Sequence, residues 1–234
     1  MFSRSATICD AVYSFKDYKA ESDKVQSIIR AKNPGAKSLL DVACGTGKHL
    51  EEFQKDFECE GLDISDELLS VARHRLPGMT FTSGDMRHFD LGRSLDAVVC
   101  LFSAIGYAET VEGLNSTAEC FAEHLNPGGV AIVEPWLSPD KFLDGNIGLQ
   151  TVDQPDLKVA RMNSSRREGD LLSVLHFEYL VGTSEGLGHY SETHRLALFT
   201  DDHYRDAFES QGLTVEHDPD GLTGRGLFIA SRPA

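Results

Sequence analysis

Residues 39–50, LLDVACGTGKHL, run from a mostly apolar stretch into two glycines and then into a helix-like segment that starts at Lys48. Three of the four residues Leu39, Leu40, Asp41 and Val42 are apolar, and Gly45 and Gly47 then punctuate the chain, so the segment reads as strand, tight turn and helix. This unit repeats. The stretch KDYKAESDKVQSIIRAK places Tyr18, Val25, Ile28 and Ile29 at helical spacing. GKHLEEFQKDF, DELLSVARHRL and TVEGLNSTAECFAEHL read as further helices, separated by the strand-like CEGLDIS, MTFTSGDM, LDAVVCLFSAI and, after an NPGG turn, VAIVEPW. Strict β-α-β-α order over about the first 135 residues predicts an α/β fold: a Rossmann-like, mostly parallel sheet with helices on both faces.

The rhythm changes between residues 145 and 199. LKVARMNSSRREGDLLSVLHFEYLVG and GHYSETHRLALF read as successive strands joined by turns at Glu168-Gly169 and at 184–188, with no helix between them. The simplest account is one domain over residues 1–234 with an antiparallel β meander inserted at 145–199, on the substrate side. The α/β pattern then returns with a helix in TDDHYRDAFESQG, capped by Thr200 or Asp201, and strands in LTVEHD and GRGLFIASR.

The glycine loop discriminates between ligands. A dinucleotide fingerprint is G-x-G-x-x-G, but counting from Gly45 puts Leu50 at the third position. A phosphate-binding P-loop needs Ser or Thr after its Lys, and here Lys48 is followed by His49. The acids point elsewhere. Asp41, Asp63 in GLDIS and Asp85 in GDM each close one of the first three strands, and in an open α/β sheet such positions converge on the crevice outside the carboxyl ends. An amine, a ribose diol and an adenine amino group, on a cation without phosphate, would use all three acids. S-adenosylmethionine is that ligand.

Composition narrows the partners. The 234 residues are 41% hydrophobic and 25% charged with net charge −15, which argues against nucleic acid or an anionic membrane as partner and requires local Arg for any anionic ligand. Five scattered cysteines (Cys9, Cys44, Cys59, Cys100, Cys120) form no zinc spacing, so no metal site is expected and they read as reduced thiols. Without a signal-peptide or membrane-length apolar run, a soluble cytoplasmic protein is expected.

The segments LLDVACGTG, GLDIS, GDMRHFDLG and LNPGGVAIVEPW resemble the successive motifs of class I S-adenosylmethionine-dependent methyltransferases. More narrowly KDY, FSAIGY, EPW, SRREG, HYSETHRLALF and GRGLF resemble the sugar N-methyltransferases that dimethylate the amine of a thymidine-diphosphate (TDP)-linked 3-amino-3,6-dideoxyhexose in antibiotic biosynthesis. The resemblance implies a seven-stranded class I methyltransferase fold. It implies that Gly45 and Gly47 admit the methionine moiety, Asp63 accepts both ribose hydroxyls, and Asp85 with Met86 brackets the adenine. Ala43, Ile64 and Leu101 complete the cofactor wall, and Tyr18 closes over it. Arg225, with Trp136 and Arg161, falls on the sugar-nucleotide side, its guanidinium fork suited to a diphosphate. The chain departs from some relatives at Tyr107, where they have His, and Phe2 is the candidate for an aromatic cover over the sugar.

Methyl transfer to an amine needs a neutral nucleophile held in line, so orientation supplies most of the catalysis and a strong base is not obligatory. Tyr107, Glu134 and His189 are the candidates for proton handling or orientation, with His194 weighed beside them. His189 and His194 are an odd number apart and so face opposite sides of a regular strand. The basic residues Lys158, Arg161, Arg166 and Arg167 on the meander suit either a sugar diphosphate or an exposed charged edge. The meander also suits a homodimer interface, as relatives suggest, and the sequence leaves these uses open. The alternative acceptor is another small amine or hydroxyl compound.

Overall fold

The structure, a computed structural model, describes residues 8–234. The chain begins with α1 (Cys9–Val12), α2 (Tyr18–Lys32), β1 (Ser38–Val42), α3 (Lys48–Phe53), β2 (Glu58–Asp63), α4 (Asp66–Arg75), β3 (Thr80–Ser83) and β4 (Leu95–Cys100). A 3₁₀ turn (Ala104–Ala108), α5 (Val111–Glu123) and β5 (Leu125–Val133) follow. Next come the meander strands β6 (Ile147–Gln154), β7 (Leu157–Glu168), β8 (Leu172–Thr183) and β9 (Gly186–Ala197), then α6 (Asp201–Glu209), β10 (Thr214–Asp218) and β11 (Leu227–Ser231).

Seven strands form one sheet in the order β10-β11-β5-β4-β1-β2-β3. The five from β3 to β5 are parallel and β11 is antiparallel to both its neighbours, as the class I methyltransferase expectation requires. The period of two explains the double burial: Leu39 faces Val25, Ile29 and Phe53 on one side of the sheet, and Leu40 faces Leu114, Phe121 and Phe208 on the other. Local chemistry sets the helix starts. Asp17, Ser65 and Thr110 accept a backbone N–H at the beginnings of α2, α4 and α5, and Thr200 forms a capping box with His203 on α6. The order of strands reverses between β1 and β4, so their carboxyl ends open a crevice.

The four meander strands form a separate antiparallel sheet, β6-β7-β8-β9. Its inner face packs Val159 and Tyr179 against Ile8 and Val12 of the N-terminal segment. Its outer face leaves Ile147, Leu149, Met162, Leu180 and Leu187 exposed. Three local expectations shift. The NPGG stretch lies within β5 as a register irregularity opposite Leu95 and Ala97 instead of forming a turn before it. Asp85 lies two residues beyond the end of β3, in a tight loop bridged to His88. Tyr107 sits in the 3₁₀ turn, seven residues past the end of β4.

Candidate active site

One cavity of about 560 Å³ opens at the carboxyl ends of β1, β2 and β4 and is walled on its far side by the inner face of the meander. Tyr18, Asp41, Ala43, Gly45, Asp63, Ile64, Asp85, Met86 and Leu101 line it, as do Tyr107, Trp136, Arg161 and Arg225. The structure thus gathers most of the residues singled out from the sequence, though they come from eight stretches of chain.

The cofactor end is built on the first two strands. Asp63, 6% exposed, accepts the N–H of Gly45 on Oδ2 (2.8 Å) and that of Ser65 on Oδ1 (2.9 Å). The carboxylate therefore braces the glycine loop while each oxygen keeps a lone pair for a ligand hydroxyl. Gly45 adopts a left-handed backbone (φ 57°) with nothing within 4 Å of where a Cβ would stand, so the loop is open to a ligand there. Burial raises the Asp63 carboxyl above its ordinary value, against the pull of those N–H groups. Asp41, 2% exposed, has a buried Oδ2 with no hydrogen-bond partner, and burial followed by the charge of Asp63 pushes its carboxyl well up. Two neighbouring buried carboxylates, one of them orphaned, favour a cationic ligand. At the rim Ile64 exposes 64% of its surface, an apolar face for a planar base. Arg87 forks onto Asp85 (Nη2–Oδ2 2.6 Å, Nε–Oδ1 3.0 Å) and holds its carboxyl below the usual range, fixing an acceptor beside Met86. These donors and acceptors fit S-adenosylmethionine.

Two expected residues act indirectly. Gly47 does not line the cavity. It begins α3 with φ 76°, and a Cβ would stand 3.3 Å from Leu76 and 3.4 Å from Ala72, so its place is set by packing against α4. Glu134, expected among the catalytic groups, is fully buried and outside the cavity. Its Oε2 accepts the Phe102 N–H (2.6 Å) and its Oε1 the Thr223 hydroxyl (2.7 Å), so it ties the loop after β4 to the loop bearing Arg225. Phe102 and Ser103 stand at φ 53° and 62°, and the other non-glycine residues with positive φ among the described residues, Ala43 and Glu109, also line the cavity. Backbone strain is thus concentrated at this site, and Glu134 holds the Phe102 part of it.

The third correction concerns His189. It stands on the outer face of β9, its side chain 67% exposed and its Nε2 2.7 Å from Glu178, outside the cavity. His194, on the inner face of the same strand, lines the cavity instead, and Tyr107 Oη meets its Nδ1 at 2.7 Å. Phe2 lies outside the described residues.

At the acceptor end the Arg225 guanidinium lies 5.0 Å from the Trp136 ring centroid and donates to Ser103 Oγ (2.9 Å), while Trp136 Nε1 donates to Ser173 Oγ (3.0 Å). The loop that presents Arg225 is pinched where Gly221 bridges Gly226: a Cβ on Gly221 would fall 2.2 Å from the Gly226 carbonyl oxygen, so no side chain is tolerated there. Arg161 lies 5.1 Å from the rings of both Tyr13 and Phe177 and donates to the Tyr13 hydroxyl (3.0 Å) and to Gln150. Its buried Nε has no partner. Lys16 is a wall residue the sequence did not single out, its Nζ 4.0 Å from the Phe102 ring centroid and paired with Glu21 at 2.7 Å.

Residues 39–129 match the family described as Methyltransferase domain. The chain is 45% identical over 216 residues to the dTDP-3-amino-3,4,6-trideoxy-alpha-D-glucopyranose N,N-dimethyltransferase of Streptomyces venezuelae, covering 92% of this chain and 91% of that one. The chain belongs to the TDP-aminosugar N,N-dimethyltransferase family. It is 42% identical over 214 residues to the dTDP-3-amino-3,6-dideoxy-alpha-D-glucopyranose N,N-dimethyltransferase of Streptomyces fradiae, covering 91% and 84% of the two chains. The crystal structure of DesVI from S. venezuelae superposes with a TM-score of 0.89 at 44% identity over 95% of this chain and 97% of that one. An S-adenosylmethionine-bound amino pentose methyltransferase from Micromonospora echinaspora superposes at 0.84 with 42% identity, covering 93% and 92%. As a member of this family the chain is an S-adenosylmethionine-dependent methyltransferase. No helix among the described residues is long and apolar enough to cross a membrane.

Proposed function

We propose that the enzyme mono- and dimethylates the amino group of a TDP-linked 3-amino-3,6-dideoxyhexose. The observation that supports this reading is the continuity of the cavity, one space lined by both the carboxylate of Asp63 and the guanidinium of Arg225. The 3-amino position is favoured by the two relatives at 45% and 42% identity, both named for 3-amino sugars. S-adenosylmethionine supplies an electrophilic methyl group when bound. The chain's own residues do the rest. The meander wall, with Leu175, Phe177 and Leu196, excludes water around the sugar, and Arg225, seated on Trp136, holds the diphosphate so that the amine faces the cofactor end.

Arg225→Ala should raise KM for the nucleotide-linked sugar about 10–100-fold, the worth of one charge-assisted phosphate contact. Methyl-donor affinity should not change, since Arg225 donates to Ser103 and lies beside Trp136, at the acceptor end. Steady-state kinetics with nucleotide-linked and free aminosugar test the reading. Loss of the wild-type preference for the nucleotide-linked form in the variant supports it, and equal turnover of both forms by the wild type contradicts it.

A further inference from the structure

Each methyl transfer requires a neutral amine, and an aminosugar carries a proton on that nitrogen at neutral pH. The groups that the sequence offered for this proton are engaged or elsewhere: Glu134 is spent on Phe102 and Thr223, and His189 is outside the cavity. His49, also in the cavity wall, is bonded to Glu21 (2.8 Å), which Lys16 neutralises. A different group stands at the acceptor side. Tyr107, on the 3₁₀ turn, places its hydroxyl 2.7 Å from His194 Nδ1, and the opposite ring nitrogen, Nε2, lies 3.5 Å from Glu192 Oε2. Glu192 and His194 are two residues apart on β9 and so share its inner face. They are 8% and 3% exposed, and the Phe177 ring stands edge-on to the imidazole at 5.2 Å. A buried His–Glu pair is costly in an apolar wall, and here the imidazole meets the hydroxyl of Tyr107, which lines the cavity.

We infer that Tyr107, His194 and Glu192 form a proton relay that takes the proton off the acceptor amine before each methyl transfer. This rests on the aminosugar reading above. The N–H bond of the ammonium breaks and its electron pair stays on nitrogen, giving the neutral nucleophile. The proton passes to Tyr107 Oη as the Tyr107 proton passes to His194 Nδ1. The positive charge thus moves from the amine to the imidazole, beside the Glu192 carboxylate, and solvent collects the proton between turnovers. Burial first, then the nearby groups Tyr13, Glu192, Asp63 and Tyr179, hold the Tyr107 phenol well above its ordinary value. It stays a hydroxyl and conducts the proton without storing charge. Cys9 and Arg161, on α1 and β7, are further ionisable groups of the surrounding wall. His194 and Glu192 act through Tyr107, which lines the cavity, and are positioning residues.

The test is the pH dependence of kcat/KM for a TDP-linked 3-amino-3,6-dideoxyhexose with wild type, Tyr107→Phe, His194→Gln and the near-isosteric Glu192→Gln, with S-adenosylmethionine affinity read by calorimetry. Tyr107→Phe and His194→Gln should each lower kcat/KM about 10²-fold at pH 7. The deficit should shrink as pH rises and solvent deprotonates the amine. The double variant should be no slower than either single, since both interrupt one path. Glu192→Gln keeps the side-chain shape and should show the same pH signature with a smaller loss. A deficit independent of pH, or under about twofold, overturns the relay and leaves only orientation. No turnover of aminosugar by a wild type that binds the methyl donor overturns the substrate reading, and the relay with it.

Discussion

Asp63→Asn should weaken S-adenosylmethionine binding by roughly 10²–10⁴-fold, although the side chain keeps its shape. A carboxylate that accepts two ribose hydroxyls contributes about 1.5–3 kcal/mol per bond, which sets that range. The isosteric amide does not rescue it, because both carboxylate oxygens already accept a backbone N–H, from Gly45 and Ser65. Replacing either oxygen with an NH₂ sets donor against donor and frees the glycine loop. The sign of the stability effect is opposite for the charge itself. Burial raises the Asp63 carboxyl, so its ionised form costs folded-state stability at neutral pH, and that cost disappears as pH falls through the raised value. Asp41 acts in the same direction. The protein without its methyl donor should therefore gain from mild acid at these two sites, and the bound cation should remove that gain. Isothermal calorimetry and thermal unfolding across pH, with and without S-adenosylmethionine, read both effects.

The second large effect is at Glu134, and it separates a clamp from a base. Glu134→Ala should lower kcat more than 10²-fold and destabilise the fold by about 2–4 kcal/mol. It orphans the Phe102 N–H and the Thr223 hydroxyl and releases two left-handed residues at the cavity wall. Glu134→Gln should keep most of the activity, since its carbonyl still accepts from Phe102 and its amide donates to the Thr223 oxygen. A glutamine variant as slow as the alanine variant would make Glu134 the proton acceptor and remove the clamp. Parallel kcat measurement and denaturation of the two variants decide it.

These two residues also show where sequence reading reaches its limit. The position of Asp63 was legible because it is set locally: it ends a strand that follows the glycine loop, and that topology places such an acid at the crevice whatever the rest of the chain does. The capping residue Thr200 was legible for the same reason. Glu134 has the same signature, an acid just past a parallel strand, yet its side chain turns into the protein to meet Phe102, whose left-handed backbone has no sequence signal. Strand parity sets His189 and His194 on opposite faces of β9, as in the structure. Which face is inward depends on how the meander docks on the sheet, a contact between segments far apart in sequence. The Tyr107–His194 pair spans 87 residues for this reason. β6 was not singled out as a strand because it is an edge strand whose Ile147 and Leu149 face outward. The N-terminal wall residue Lys16 is positioned by Glu21 and Phe102 together, a pairing that exists only after folding.

The central claim is that this methyltransferase acts on the amine of a nucleotide-linked aminosugar. Mass spectrometry of TDP-3-amino-3,6-dideoxyhexose incubated with the protein and S-adenosylmethionine tests it most directly. The proposed function predicts two successive replacements of hydrogen by methyl, both on nitrogen and both dependent on enzyme. An unchanged sugar nucleotide, in the presence of protein that binds S-adenosylmethionine, would contradict it.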